Sequence, residues 1–440
     1  PPAAYRAGDF SLLSATIYDP AARRIGPSGV VISTPYVGNR IPASQVNPTS
    51  AAIMGLIPMP NYGAPNAESR NFFIALPRHN RDDRGDVRID HTISSSNNLY
   101  GRFSMANAPN VAVGSFGAGQ WIGGGSTSLD NSRQLALSDV HVFSPTTVNE
   151  FRFGYVRSNS SNVGTAPQGV AFAQQNKLAL FPFPELGFPS FNFYYAGETQ
   201  GAQQISGFGG STSAYSIENR FQWVDNLNIT RGGHTLKFGT DLRRLRYETL
   251  RGGYGNIRFG SMFTSSSDKA GSGAPLADFL LGFPHSFGGA GQMLDWGRER
   301  QFYAFGYFQD DWKATRKLTL NLGIRYDLFS QPVDAKDRGS LFDIDRGIFQ
   351  VPGQGGYSRA VVDGDHNNIA PRAGFAYQPG RNLVIRGGYG MFYGFRERNP
   401  ETTNFSQNPP NLPMFGNPPV TANGTVAPPY TINTPIVALS

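Results

Sequence analysis

The side chains most able to do chemistry are too scattered along this sequence to predict a catalytic site. The chain has no cysteine to act as a nucleophile or a metal ligand. Two glycine-rich stretches, 117–119 and 288–291, do not complete a nucleotide-binding motif. The six histidines lack the spacing of zinc ligands: His79, His91, His141, His234, His285 and His366. The sequence therefore predicts a protein that is not an enzyme and has no cofactor.

One short segment does carry oxygen atoms at a spacing that suits calcium. Asp363, Asp365 and Asn367 alternate along the sequence, and calcium prefers carboxylate and amide oxygens. The segment departs from an EF-hand, whose twelfth position is a bidentate glutamate, because that position is Gly374. A calcium site in a surface loop is one hypothesis, and an ordinary polar loop is the simpler alternative.

Composition predicts that strands and long loops position these side chains. The 440 residues include 53 Gly, 32 Pro and 13% aromatics, but only 39% hydrophobic and 16% charged residues. Glycine and proline favour turns, and aromatic residues favour pleated sheets. No apolar run approaches the roughly 18 residues of a membrane helix. The net charge of +7 is dispersed along the chain, which argues against a nucleic-acid partner.

Hydrophobic side chains recur with a period of two along much of the sequence. Between residues 317 and 329, apolar residues occupy the even positions and mostly polar residues the odd ones, which indicates a strand with two different faces. Short connectors join these segments into pairs, and long connectors separate the pairs, as in outer-membrane barrels. Ten segments follow this pattern: 86–92, 98–106, 133–143, 148–157, 217–230, 234–247, 301–314, 317–329, 368–378 and 382–393.

The polar faces of these strands are predicted to line the interior of a barrel. An arginine facing lipid at the bilayer midplane costs about 2 to 4 kcal/mol, whereas one facing a wet lumen costs little. Whether these residues contact a ligand or only line the wall stays open. The candidates for the lumen are Arg152, Asn321, Arg325, Asp327, Arg372 and Arg386.

Tryptophan and tyrosine gather near the ends of the predicted strands. Aromatic side chains at those positions form a girdle at the boundary between water and lipid. Core packing in a soluble sandwich is the competing interpretation. The girdle candidates are Trp223, Tyr247, Trp312, Tyr326, Tyr377 and Tyr393.

Several motifs, in this order along the chain, resemble those of Oar-like TonB-dependent transporters. The most distinctive is YFQDDWK at 307–313, which runs into LTLNLGIRYD at 318–327. The others are GNRIPAS at 38–44, PMPN at 58–61, the hairpin over 86–104, ADFLLG at 277–282, PRAGFAY at 371–377 and IRGGYGMFY at 385–393.

The resemblance implies an all-β protein, an antiparallel up-and-down transmembrane barrel of 22 strands with long extracellular loops. This chain would be a fragment that supplies about ten of those strands in the outer membrane of a Gram-negative cell. Its expected divisions are a loop-rich segment at 1–85, the partial barrel at 86–395 and a Pro/Asn-rich loop at 396–440. The implied partners are outer-membrane lipid and the TonB energy-transducing complex, reached through a plug that this chain does not contain.

The implied function is import of a large substrate, whose identity the sequence does not reveal. Two alternatives stay open. One is a passive porin or a surface adhesin without energy coupling, and the other is a secreted β-rich binding protein.

Overall fold

The computed structural model describes residues 1–27, 30–64, 71–117, 121–164, 167–178, 188–193, 207–210, 214–251, 254–290, 296–361, 363–394, 414–417 and 431–434. The strands are β1 (Arg24–Ile25), β2 (Val31–Ile32), β3 (Arg78–Asn80), β4 (Asp83–Ser94), β5 (Asn97–Ala112), β6 (Ser126–Ser144), β7 (Thr147–Gly164), β8 (Ser190–Phe193), β9 (Phe208–Gly209), β10 (Ala214–Arg231), β11 (His234–Arg251), β12 (Tyr254–Phe259), β13 (Ser286–Ala290), β14 (Gly297–Trp312), β15 (Leu318–Phe329), β16 (Val333–Asp334), β17 (Leu341–Asp343), β18 (Ile348–Gln350), β19 (Ile369–Gly380), β20 (Leu383–Gly390) and β21 (Met414–Asn417).

Helices are short. The α-helices are α1 (Ala3–Arg6), α2 (Pro48–Leu56), α3 (Pro167–Gln175) and α4 (Pro275–Leu280), and 3-10 turns occur at Pro20–Ala22, Val37–Asn39, Ala43–Gln45 and Trp121–Gly123. Among the described residues, no helix is both long and apolar enough to cross a membrane.

Ten long strands form one antiparallel sheet that follows the order of the chain. Its path runs β20-β19-β15-β14-β11-β10-β7-β6-β5-β4, with β3 and β16 added at the side of β5 and β14. Each of the ten predicted segments lies within or overlaps one of these strands, so the all-β prediction is confirmed. Within the described residues, β4 and β20 do not pair with each other, and the sheet stays open.

Several strands extend well beyond their predicted ends. β6 has 19 residues and β7 has 18, whereas a tilted strand crosses a bilayer with about 9 to 11. The additional residues lie at the end where the long connections begin, and most are serine, asparagine or aspartate. The alternation of apolar and polar residues ends there although the hydrogen-bonded ladder continues, so the sequence pattern did not reveal the extension.

The register gives this sheet two chemically different faces. Phe238, Phe308 and Ile324 lie directly opposite one another on β11, β14 and β15, and side chains opposite across a ladder share a face. From β4 to β19, the large apolar side chains that are exposed all lie on this same side, which we call the apolar face. Lys237 and Gln309 are opposite on the other side, the polar face.

The main cluster of buried hydrophobic residues lies outside the ten-stranded sheet, in a unit that we call the cap. It joins α1, α2 and α4 to a five-stranded sheet in the order β21-β13-β12-β8-β9. Its core residues run from Tyr5 to Ile432 and include Phe191, Phe259 and Phe279, which are fully buried. The segments of the cap extend from the end of the long sheet at which the long connections join its strands.

Residues 1–85 are therefore more ordered than the predicted loop-rich segment suggests. Tyr5, Phe10, Ile17 and Ile53 are fully buried in the cap core. Each segment is short and has no periodic pattern of its own, so its burial depends on segments distant in sequence. The three predicted divisions of the chain stay a prediction, and most of 396–440 lies outside the described residues.

A buried carboxylate holds the cap together. Asp278 on α4 accepts hydrogen bonds from the backbone N–H groups of Phe263 at 2.9 Å and Thr264 at 2.8 Å, and from the Thr264 hydroxyl at 2.6 Å. Burial raises the pKa of Asp278 to about 7, against the opposite influence of these donors and of Arg23. The guanidinium of Arg23 lies 5.6 Å from the ring centre of Phe263.

Candidate functional site

A pocket opens on the polar face near the end of the long connections. Its volume is about 340 Å³. Arg243 from β11, Phe305 from β14 and Arg372 from β19 contribute to its wall, together with residues of β15 and of the segment after β20. We call it the arginine pocket, and its lining is completed by Arg325, Asp327, Phe329, Phe392, Tyr393 and Gly394.

One buried phenyl ring organises two of the arginines. The guanidinium carbon of Arg325 lies 4.8 Å from the ring centre of Phe305, and that of Arg243 lies 5.3 Å from it. Arg325 also pairs with Asp327, whose side chain is only 5% exposed, and Arg243 pairs with Asp241 at 2.7 Å. Stacking on an aromatic face fixes a guanidinium plane and leaves N–H groups at its edge for other partners.

The third arginine is held differently. The guanidinium carbon of Arg372 lies 4.5 Å from the ring centre of Phe392, and Arg372 forms no ion pair with the residues that the structure describes. The three guanidinium groups are positively charged and the carboxylates of Asp241 and Asp327 are negatively charged, so one positive charge remains uncompensated. Such an arrangement can bind a carboxylate or phosphate group through paired N–H donors.

All six candidates for the lumen lie on the polar face. Arg325, Asp327 and Arg372 meet in the arginine pocket. The other three lie apart from it: Arg152 is 3.7 Å from Glu150, Asn321 donates to Asp311 at 2.6 Å, and Arg386 is exposed opposite Ala376. That this face bounds a wet lumen stays a prediction.

The girdle candidates divide between the two faces. Trp223, Trp312, Tyr326 and Tyr377 stand on the apolar face. Tyr247 is directly opposite Glu218 and Glu299 on the polar face, because it occupies an odd position of β11. Tyr393 follows the end of β20 and lines the arginine pocket. These two tyrosines therefore do not lie on the apolar face with the other four candidates.

Five residues of the pocket were not candidates from the sequence: Arg243, Phe305, Phe329, Phe392 and Gly394. Arg243, Phe305 and Phe392 come together through the pairing of β11 with β14 and the turn of the chain after β20. Odd numbering on β11 and β14 would have placed Arg243 and Phe305 on polar faces. Their proximity to Arg325 depends on the register between strands, which hydrophobic alternation alone does not determine.

The calcium hypothesis stays a prediction. Asp363, Asp365 and Asn367 are exposed, and the Asp365 carboxylate accepts a hydrogen bond from the backbone of Asn367 at 3.3 Å. In the part of the chain that the structure describes, no three or more histidine, aspartate and glutamate residues are grouped as a metal site.

Solved structures of outer-membrane proteins are similar to this chain at low identity. The outer membrane transporter YddB from Escherichia coli is 10% identical, with 72% of this chain and 32% of YddB covered and a TM-score of 0.38. The copper transporter OprC is 11% identical, with 78% and 42% covered and a TM-score of 0.41. The P. aeruginosa protein FpvA is 9% identical, with 71% and 35% covered and a TM-score of 0.37.

The chain thus spans between 32% and 42% of the length of these three structures. No curated protein matches the sequence. The family described as outer membrane beta barrel domain matches residues 1–439. With its antiparallel hairpins and its exposed apolar face, the chain belongs to this family and is a protein of the outer membrane.

Proposed function

We propose that this chain is part of an Oar-like TonB-dependent transporter that imports a large, negatively charged substrate. The observation that carries the proposal is the arginine pocket. Arg243, Arg325 and Arg372 come from three different strands and meet on the polar face, near the end from which all the long connections leave. In a membrane barrel this face is the interior, and the long connections are extracellular.

The chemistry of the pocket favours an anionic group on the substrate. The buried Phe305 ring holds two of the guanidinium groups, so less conformational freedom is lost when a ligand binds. A carboxylate on an oligosaccharide, a peptide or a metal chelate would suit the N–H groups equally, because these ligands share the same negative charge.

Energy coupling rests on the sequence resemblance. The YFQDDWK motif at 307–313 and the segment after it are those that resemble Oar-like transporters. A partner complex in the inner membrane would act through a plug. A passive barrel is the competing function, and the two differ in whether uptake requires a proton gradient.

Replacing the three arginines is expected to abolish the charge preference of the pocket. We would compare the wild type in detergent with a triple variant, Arg243→Gln, Arg325→Gln and Arg372→Gln. The probes are hexasaccharides that carry zero, three or six carboxylates. Calorimetry should show wild-type affinity rising at least tenfold per step of this series, and no rise for the variant. A matched variant, Arg102→Gln, Arg152→Gln and Arg220→Gln, removes three charges from the polar face outside the pocket and should behave as the wild type.

Wild-type affinity that is undetectable or independent of carboxylate number would contradict the binding proposal. Coupling is tested separately, by uptake of the labelled six-carboxylate probe into cells that produce the protein from its natural gene. Uptake that stops with a protonophore supports a TonB-dependent transporter. Uptake that continues identifies a passive barrel, whatever the outcome for the pocket.

A further inference from the structure

A row of arginines crosses the apolar face of the sheet. Arg133 on β6 is directly opposite Arg157 on β7, Arg157 is opposite Asn219 on β10, Asn219 is opposite Arg246 on β11, and Arg246 is opposite Arg300 on β14. We call these four arginines the arginine row. Strands lie about 4.8 Å apart, so the row extends across roughly 19 Å of the surface.

The large apolar side chains of the apolar face begin next to the arginine row, on the side of the short turns. We call these side chains the apolar band. The next positions toward the short turns are Leu135, Tyr155, Phe221 and Phe302, all on the same face. Arg244 lies at the same level as these apolar residues, directly opposite Phe221 on one side and Phe302 on the other. The short turns are periplasmic and the long connections extracellular in outer-membrane barrels. The arginine row therefore lies at the depth of the lipid headgroups of the outer leaflet.

The positive charge of the row is largely uncompensated by the described residues. Arg300 pairs with Glu248 at 2.9 Å. Arg133 donates to the backbone oxygen atoms of Ala106 and Ser132. Such bonds to neutral carbonyl groups leave the charge of Arg133 in place.

The charges of Arg157 and Arg246 are also left in place, because these two side chains contact neutral groups. Arg157 donates to the amide oxygen of Asn219 at 2.9 Å, and Arg246 lies 5.7 Å from the ring centre of Phe221. Arg133, Arg157 and Arg246 form no ion pair with any residue that the structure describes. Like charges directly opposite on neighbouring strands destabilise a sheet, so the pairing of Arg133 with Arg157 disfavours the sheet unless an anion lies between them.

We propose that the arginine row binds the phosphate groups of outer-leaflet lipids. A guanidinium binds phosphate through two parallel N–H donors. The acyl chains of the same lipid would lie on the apolar band directly below. A free phosphate would meet only the arginines, whereas a lipid would also contact Tyr155, Phe221 and Phe302, so the position of the row favours a lipid.

Native mass spectrometry of the full chain in detergent tests this proposal. The probes are diphosphoryl lipid A, its dephosphorylated form and inorganic pyrophosphate. The variant is Arg133→Gln, Arg157→Gln and Arg246→Gln together. Its matched control is Arg102→Gln, Arg152→Gln and Arg220→Gln, which removes the same charge from the polar face of β5, β7 and β10. A shift of the unheated band on a denaturing gel checks that each protein is folded.

Wild type and control are expected to retain the diphosphoryl lipid at least tenfold better than the dephosphorylated one, and the row variant should lose that preference. Equal retention by the row variant and the control would overturn the proposal. So would pyrophosphate that binds as tightly as the diphosphoryl lipid, because the site would then be one for a free anion. If the triple variant does not fold, Arg246→Gln alone decides, with about a threefold loss expected because this side chain is exposed.

Discussion

Arginine substitutions at Phe308 and Ile324 are expected to prevent the protein from assembling in the outer membrane. The two side chains are opposite each other on β14 and β15 and are 38% and 49% exposed on the apolar face. An arginine facing lipid near the midplane costs about 2 to 4 kcal/mol. The double variant should therefore lose about 4 to 8 kcal/mol, comparable to the whole stability of many domains. Folded protein in the outer-membrane fraction should fall below detection on a gel run without heating.

The matched control changes two positions of the same strands on the other face. Gln309→Arg and Thr319→Arg introduce the same two charges on the polar face of β14 and β15. This variant should reach the outer membrane in wild-type amounts. Equal assembly of the two double variants, or loss of the control alone, would show that the faces are assigned incorrectly.

Removal of the Asp278 carboxylate should unfold the cap and leave the long sheet intact. Asp278→Ala deprives the buried N–H groups of Phe263 and Thr264 of their acceptor. Each unpaired buried donor costs about 1 to 3 kcal/mol, so the cap should lose about 2 to 6 kcal/mol. Hydrogen exchange on the full chain in detergent should show lost protection at Ile257 and Leu281, which are buried, and unchanged protection in β10 and β11.

The same carboxylate should make the stability of the cap depend on pH. Burial raises the pKa of Asp278 to about 7, so between about pH 4 and 7 the folded cap binds a proton that the unfolded chain has released. The stabilisation of the cap that results from this proton is fully present below pH 4 and is lost as pH rises to 7. Over that range the unfolding free energy of the cap falls by up to about 1.4 kcal/mol per pH unit.

Two conservative variants isolate that contribution. Asp278→Asn removes the titrating group, so the difference in unfolding free energy between wild type and this variant should decline from pH 4 to 7. Asp268→Asn is the control, because a hydrogen bond from Ser266 lowers the pKa of this exposed carboxyl and gives the opposite sign. A difference for Asp278→Asn that does not change with pH would contradict the assignment.

The long sheet was predictable because apolar and polar side chains alternate along most of its strands. Leu318 to Leu328 shows this pattern without help from any other segment. The cap was not predictable, since no single segment of it has a pattern. Phe191 and Phe279 are apolar residues within irregular stretches, and their rings lie 6.2 Å apart only because α4 packs on the five-stranded sheet.

The candidate site could be predicted from the sequence in part. The alternation along β15 and β19 predicts Arg325, Asp327 and Arg372 on a polar face, and these three residues line the pocket. The sequence did not identify Phe305, which holds Arg243 and Arg325, because the alternation along β14 gives no information about which residue of β11 or β15 lies beside it.

The composition of the cap core has a consequence for the order of folding. Hairpins such as β10–β11 close through turns of two residues and form early, because little chain entropy is lost. The cap core joins Tyr5, Ile122, Phe191, Phe279 and Ile432, contacts whose sequence separations make them slow to form. We expect the cap to be the last part of the chain to acquire its native packing, with the completed hairpins serving as the template on which its distant segments meet.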